Sequence, residues 1–174
     1  MMTSRERRPG MARRVDPIHP SKRVKAEKVQ PFDSPLLSAL VRVVTHWTSL
    51  ETQAAVASDA GLTIDPADVP VLFTLGQSGP VRPSLLAQKL RVSPPTVSRT
   101  VARLVDGGLV HRVADPHDAR ASMITLTVKG VAVAERLFEQ GDRMIARLLE
   151  GWDASEVAVL TSLLERFADC VDKQ

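Results

Sequence analysis

The stretch from Arg91 to Val110, RVSPPTVSRTVARLVDGGLV, constrains this chain more than any other. Ser93 suits an N-cap, because its hydroxyl can accept from the orphan N–H groups of a first helical turn. Pro94 then falls at the first helical position, where no N–H is missed. At helical period Val97, Val101, Leu104 and Val105 share one face, while Pro95, Thr96, Arg99, Ala102 and Arg103 occupy the other, flanked by Ser98 and Thr100. One side packs and the other is free. Gly107 and Gly108 permit the left-handed turn that ends a helix, and Leu109 and Val110 open an extended segment.

Upstream, VRPSLLAQKLRV predicts a short helix with Leu86, Ala87 and Leu90 inward, joined to the first by a few residues around Val92. In a helix, tight turn, helix unit of this kind the second helix can lie in the DNA major groove, its N-terminal residues toward base edges and phosphate. An ordinary helical hairpin with a solvated polar face fits these two helices as well. The segment after Gly108 separates the readings. Leu109 to Ala114, the tip Asp115-Pro116-His117-Asp118, and Ala121 to Thr127 read as a β-hairpin, with Ile124 and Leu126 inward. That places a wing beside the helix pair. Asp118 and Arg120 stand two apart on one side of the wing, where the carboxylate could hold the guanidinium extended. An arginine so held suits a narrow minor groove; a surface ion pair of little consequence is the alternative.

The run Leu86-Ala87, Ser93, Thr96-Val97-Ser98-Arg99, Leu104, Gly108-Leu109-Val110, Arg112, Asp115-Pro116, Asp118-Ala119-Arg120, Leu126-Thr127 and Gly130 resembles the MarR family of winged-helix transcription regulators. In layout the similarity extends from Ser34 to the C-terminus. The resemblance implies that Thr96, Ser98, Arg99 and Arg103 face the major groove or its phosphates, and that Arg120 is a wing arginine paired with Asp118; Ser93 and Pro95, at the same end of the helix, are further candidates for DNA contact. It also implies a homodimer on a pseudo-palindromic double-stranded DNA operator, and a small aromatic or phenolic effector held between the dimer helices and the winged unit; His46 and Trp47 are candidate wall residues for that pocket, with plain core or dimer contact the other reading of Trp47. The chain departs from the family at Ala119 and Gly107, where basic residues are frequent, and at Arg82, where a hydroxyl N-cap is common.

Charge is partitioned along the chain. The net charge is only +3, yet before Pro31 nine bases from Arg5 to Lys28 face only Glu6, Asp16 and Glu27. Between Arg82 and Lys129 eight bases face Asp106, Asp115 and Asp118. A phosphate-binding face on a neutral scaffold has this pattern. Aromatic residues make up 3% with no tyrosine, so the stacking used for single strands and RNA has little to work with, and duplex DNA is the better target.

The expected organisation is mainly α with a small β wing. Residues 1–30 read as a basic disordered extension that could be a DNA arm, a docking segment or a mere extension. Residues 31–64 carry a dimerisation helix running from the Ser34-Pro35 cap through about Asp59. Residues 65–129 are the winged helix-turn-helix, with a helix start at Pro66 or Asp68, and residues 130–174 hold two further dimerisation helices. Thr127 can cap the first of these, and Asp153 with Glu156 makes a capping box for the second. The apolar stripes Leu36, Leu37, Leu40, Val41, Val44, Trp47, Leu50 and Val157, Leu160, Leu163, Leu164, Phe167, Val171 exceed what so small a winged unit can cover, which predicts pairing across a two-fold axis.

No nucleophile with a base, paired carboxylates in a cleft or Gly-rich phosphate loop has supporting context, so no enzyme activity and no cofactor are expected. His19, His46, His111 and His117 lack metal-ligand spacing with each other or with Cys170. Cys170 reads as a small packed residue, since Asp169 and Asp172 oppose a thiolate. A single cysteine, no bilayer-length apolar run and no signal-peptide pattern suit a cytoplasmic protein. The alternative function is a winged-helix protein-interaction adaptor without a specific DNA target.

Overall fold

The computed structural model describes residues 34–173, so the expectations for residues 1–30 lie outside the described residues. The chain forms α1 (Pro35–Trp47), α2 (Leu50–Asp59), a 3₁₀ turn (Pro66–Asp68), α3 (Val69–Ser78), α4 (Pro83–Leu90), α5 (Pro94–Asp106), β1 (Val110–Asp115), β2 (Asp118–Leu126), α6 (Val128–Leu148) and α7 (Ala154–Asp172). This is a mainly α fold with a small β wing.

The first long helix is broken where one continuous helix was expected. At Thr48 and Ser49 adjacent hydroxyls compete with the helical ladder: Thr48 donates to the Val44 carbonyl and Ser49 to that of His46. Ser49 is extended, and its hydroxyl accepts the Thr52 N–H, so it caps α2. The break turns α2 inward. Thr52, Gln53, Val56 and Ala57 are buried, whereas α1 buries no residue.

Both starts proposed for the next helix occur in succession. Asp65 accepts the Ala67 N–H at 2.8 Å and opens the 3₁₀ turn. Pro70, which has no N–H to continue that turn, then sits in the first turn of α3.

The core lies where α2 to α5, the hairpin and the middle of α6 meet, with Leu72, Leu75, Leu86, Leu104, Ile124 and Leu137 fully buried. Within α5 the packing face is Val97, Thr100, Val101 and Leu104. Val105, expected on that face, is 40% exposed, while Thr100, expected at its flank, is buried. At 100° per residue, Thr100 and Val105 flank the arc defined by Val97, Val101 and Leu104 at equal distance on opposite sides, so helical period alone does not choose between them.

The hairpin is antiparallel, with Val110 opposite Leu126 and Arg112 opposite Ile124. Its register shifts between Ala114 and Asp115, and β2 begins at Asp118, so only Pro116 and His117 form the tip instead of a four-residue loop. Val81 adds a third rung, exchanging both backbone hydrogen bonds with Ile124 at 3.0 and 2.8 Å. Thr127 caps α6 by accepting the Gly130 N–H, while its hydroxyl donates to the Gly108 carbonyl. Gly130 permits a close approach: a Cβ there would lie 1.9 Å from the Leu109 carbonyl oxygen. The end of α5 is thereby seated on the start of α6. Past Gly151, the Asp153 and Glu156 capping box opens α7, which buries none of its described residues.

Candidate nucleic-acid interface

The exposed face of α5 begins at its cap. Ser93 accepts the Thr96 N–H, and the two hydroxyls lie 2.8 Å apart in a shared hydrogen bond. Ser93, Pro95, Thr96, Ser98 and Arg99 are all exposed. Their opposites, Val97 and Val101, are buried, so packing rather than capping alone fixes which side faces outward. Arg99 makes only a long 3.5 Å contact from Nε to the Pro95 carbonyl. Its terminal nitrogens have no partner among the described residues, and the helix N-terminus adds partial positive charge beside them.

Arg103 is placed differently. Its Nε and Nη2 fork onto the carboxylate of Asp68, with Nη2 to Oδ1 at 2.5 Å, and Nη1 lies 3.5 Å from Asp65. Asp68 is buried with a helical backbone, and its carboxylate is taken up by Arg103; it makes no side-chain cap on α3. The hydrogen bonds to Asp68 raise the Arg103 pKa further above its already high value. This fork braces α5 against the 3₁₀ turn while leaving the Arg103 side chain 43% exposed.

In the wing, Asp118 accepts the backbone N–H of Arg120 at 3.0 Å. No ion pair joins their side chains among the described residues, in contrast to the expected pairing. An acceptor two positions before an N–H closes a local turn, and this uses the carboxylate. Both side chains are exposed. Asp115 carries the wing's ion pair: Arg82 Nε donates to its Oδ2 at 2.5 Å, and the His117 N–H donates to its Oδ1 at 2.8 Å. The Arg82 hydrogen bond, followed by that from His117, holds the Asp115 carboxyl below the usual carboxylate range against the opposing effect of burial.

A family model described as MarR family matches residues 62–121. The multiple antibiotic resistance protein MarR of Escherichia coli (strain K12) is 31% identical over 106 residues, spanning 60% of this chain and 74% of that protein. The HTH-type transcriptional regulator YhbI of Bacillus subtilis (strain 168) is 33% identical over 107 residues, spanning 59% and 70%. The chain belongs to the MarR family. Among solved structures, the apo form of wild-type E. coli MarR superposes with a TM-score of 0.63 at 28% identity, covering 77% of this chain and 97% of that one. A MarR family protein from Bacillus stearothermophilus gives 0.64 at 25% identity, covering 78% and 93%. The winged helix-turn-helix of a transcription regulator is thus the family context of α4, α5 and the hairpin.

This MarR-family chain also holds a cavity of about 670 Å³ bounded by α1, α2, α3, α4 and α6. Trp47, Gln53, Phe73 and Phe138 contribute to its wall, and Lys89 and Arg91 are its cationic members. Phe73 and Phe138 meet edge to face at 4.7 Å. Gln53 is buried, donates to the Trp47 carbonyl, and leaves Oε1 with no donor among the described residues. Trp47 lies in the wall of this cavity. His46 does not: one residue earlier on the helix it points elsewhere and is exposed.

Sequence reasoning named Arg82, Asp68 and Asp115 only as a cap departure, a helix start and part of the hairpin tip, and missed the ion pairs they make; Gln53 carried no signal. Cys170, expected to be packed, is exposed. No group of three or more potential metal ligands occurs among the described residues, and none of their helices is long and apolar enough to cross a membrane.

Proposed function

We propose that this chain is a homodimeric, sequence-specific regulator of double-stranded DNA that enters the major groove with α5. The observation that carries the reading is the exposed first two turns of that helix, with Ser93, Pro95, Thr96, Ser98 and Arg99 outward over a buried Val97 and Val101. Arg99, with its terminal nitrogens unengaged, is the base-reading candidate, since a free fork can bond guanine edges bidentately. Arg120 enters the adjacent minor groove from the wing, with Asp118 shaping the turn that presents it. Arg103 supports α5 from behind through Asp68.

Dimerisation rests on α1, α7 and the end of α6. Leu36, Val41 and Val44, then Leu163, Leu164, Phe167 and Val171, are each about half exposed or more, apolar side chains that a second copy would cover. Pairing two copies supplies two α5 helices and a pseudo-palindromic operator with half-sites about one DNA turn apart. The protein acts in the cytoplasm, as a repressor that occupies a promoter. A small aromatic or phenolic effector releases it by binding the cavity, whose apolar walls and two cations, Lys89 and Arg91, set against one carboxylate, Asp142, suit a ring bearing an acid. The effector must favour a dimer geometry that misaligns the two α5 helices.

Replacing Arg99 with alanine tests the central part. Specific binding should weaken by about 1–3 kcal/mol while non-specific binding changes little; an equal loss in both would make Arg99 a phosphate contact.

A further inference from the structure

We propose that Arg82 is a positioning residue for the wing, holding the hairpin tip at the angle from which Arg120 reaches DNA. The inference rests on the wing contact proposed for Arg120. An isolated two-stranded ribbon is marginally stable and free to twist, so something outside it must set its direction. Residues 81 and 82 meet the hairpin at two levels. Val81 pairs with Ile124 through the backbone near the base of the hairpin, two residues before the end of β2. Arg82 reaches the far end, where its Nε donates to Asp115 Oδ2.

Asp115 lies at the register shift, immediately before the two-residue tip. Its side chain is only 3% exposed, and its second oxygen accepts the His117 N–H. One carboxylate therefore closes the turn and ties that turn to the start of α4. Arg82 has no side-chain cap role on α4, and its own side chain is 44% exposed. The arginine can thus be changed without opening the core. Since α4 packs on α5 and also meets β2, this contact transmits the placement of the helix pair to the wing tip. A direct phosphate contact by Arg82 is the competing use of the same guanidinium.

Two measurements on the full-length protein separate these uses. In the free protein, Arg82→Ala should speed amide exchange at His117 and Arg120 while leaving Val101 in α5 unchanged, and Asp115→Asn should do so more weakly. Unchanged exchange at the tip overturns the clamp whatever happens with DNA. With the duplex from upstream of the protein's own coding sequence, Arg82→Ala should weaken binding several-fold alone and add nothing in an Arg120→Ala background, because both changes remove the same contact. An equal further loss in that background overturns positioning in favour of direct contact. If Arg120→Ala itself leaves affinity unchanged, the wing contact fails, and amide exchange still decides the clamp.

Discussion

Arg103 and Asp68 offer the sharpest energetic prediction, because the structure assigns them unequal burial. The Asp68 side chain is 5% exposed and that of Arg103 43%. Arg103→Met keeps the alkyl stem and removes the fork, which leaves a buried carboxylate with no cation. Breaking a buried pair from one side costs about 3–5 kcal/mol. Because nearly half of the arginine already meets water, solvent can re-enter, and the low end, about 3 kcal/mol, is expected. Asp68→Asn strands only a half-exposed cation, which still has Asp65 at 3.5 Å, and should cost about 1 kcal/mol. The double variant should be less destabilised than the sum of the two. Urea unfolding at one fixed protein concentration measures all four, since a dimer's stability depends on concentration. Equal small losses below about 0.5 kcal/mol, together with a shallower salt dependence of DNA binding, would refute the brace and return Arg103 to the phosphates.

Other perturbations act on single contacts. Gly130→Ala places a Cβ 1.9 Å from the Leu109 carbonyl oxygen and should destabilise by about 3 kcal/mol or more. Gly141→Ala meets only Phe73 at 3.6 Å and should stabilise α6 by about 0.5 kcal/mol; thermal melts giving both the same sign would contradict this. Arg91 is the only described non-glycine residue at positive φ, 52°, so Arg91→Gly should raise stability by about 0.5 kcal/mol, strain relief exceeding the entropy lost. A clear loss in the same melts would mean that the side chain holds the turn. Asp115, beside Arg82, and Asp153, bonded by Ser155 and then the Glu156 N–H, both have lowered carboxyl pKa values. The folded chain therefore binds fewer protons than the unfolded one. Their stabilisation is complete above about pH 4 and is lost as pH falls through the depressed values. Asp153→Asn should flatten that acid slope in pH-dependent unfolding; an unchanged slope would refute the assignment.

Much of the fold was legible because it rests on local chemistry. The Ser93-Pro94 cap, the Thr127 cap and the Asp153 and Glu156 box all stand where hydroxyl or carboxylate, proline and apolar period coincide. The site was legible only in outline. Periodicity shows that Arg103 leaves the core face of α5, and it says nothing of Asp68, thirty-five positions earlier, waiting beneath it. Spacing suggested that Asp118 could grip the Arg120 guanidinium, yet the nearer backbone N–H takes that carboxylate. The break at Thr48 and Ser49 turns on two hydroxyls choosing carbonyls over water, a balance that apolar patterning does not register. The cavity is assembled from five helices, so no single stretch of sequence announces it.

Binding of the full-length protein to the DNA upstream of its own coding sequence, against a scrambled duplex of equal length and across several salt concentrations, tests the central claim most directly. Specific recognition by α5 predicts at least about a thousandfold preference for the upstream duplex, with affinity for both falling steeply as salt rises. Equal, weak binding to the two duplexes at every salt concentration would contradict it.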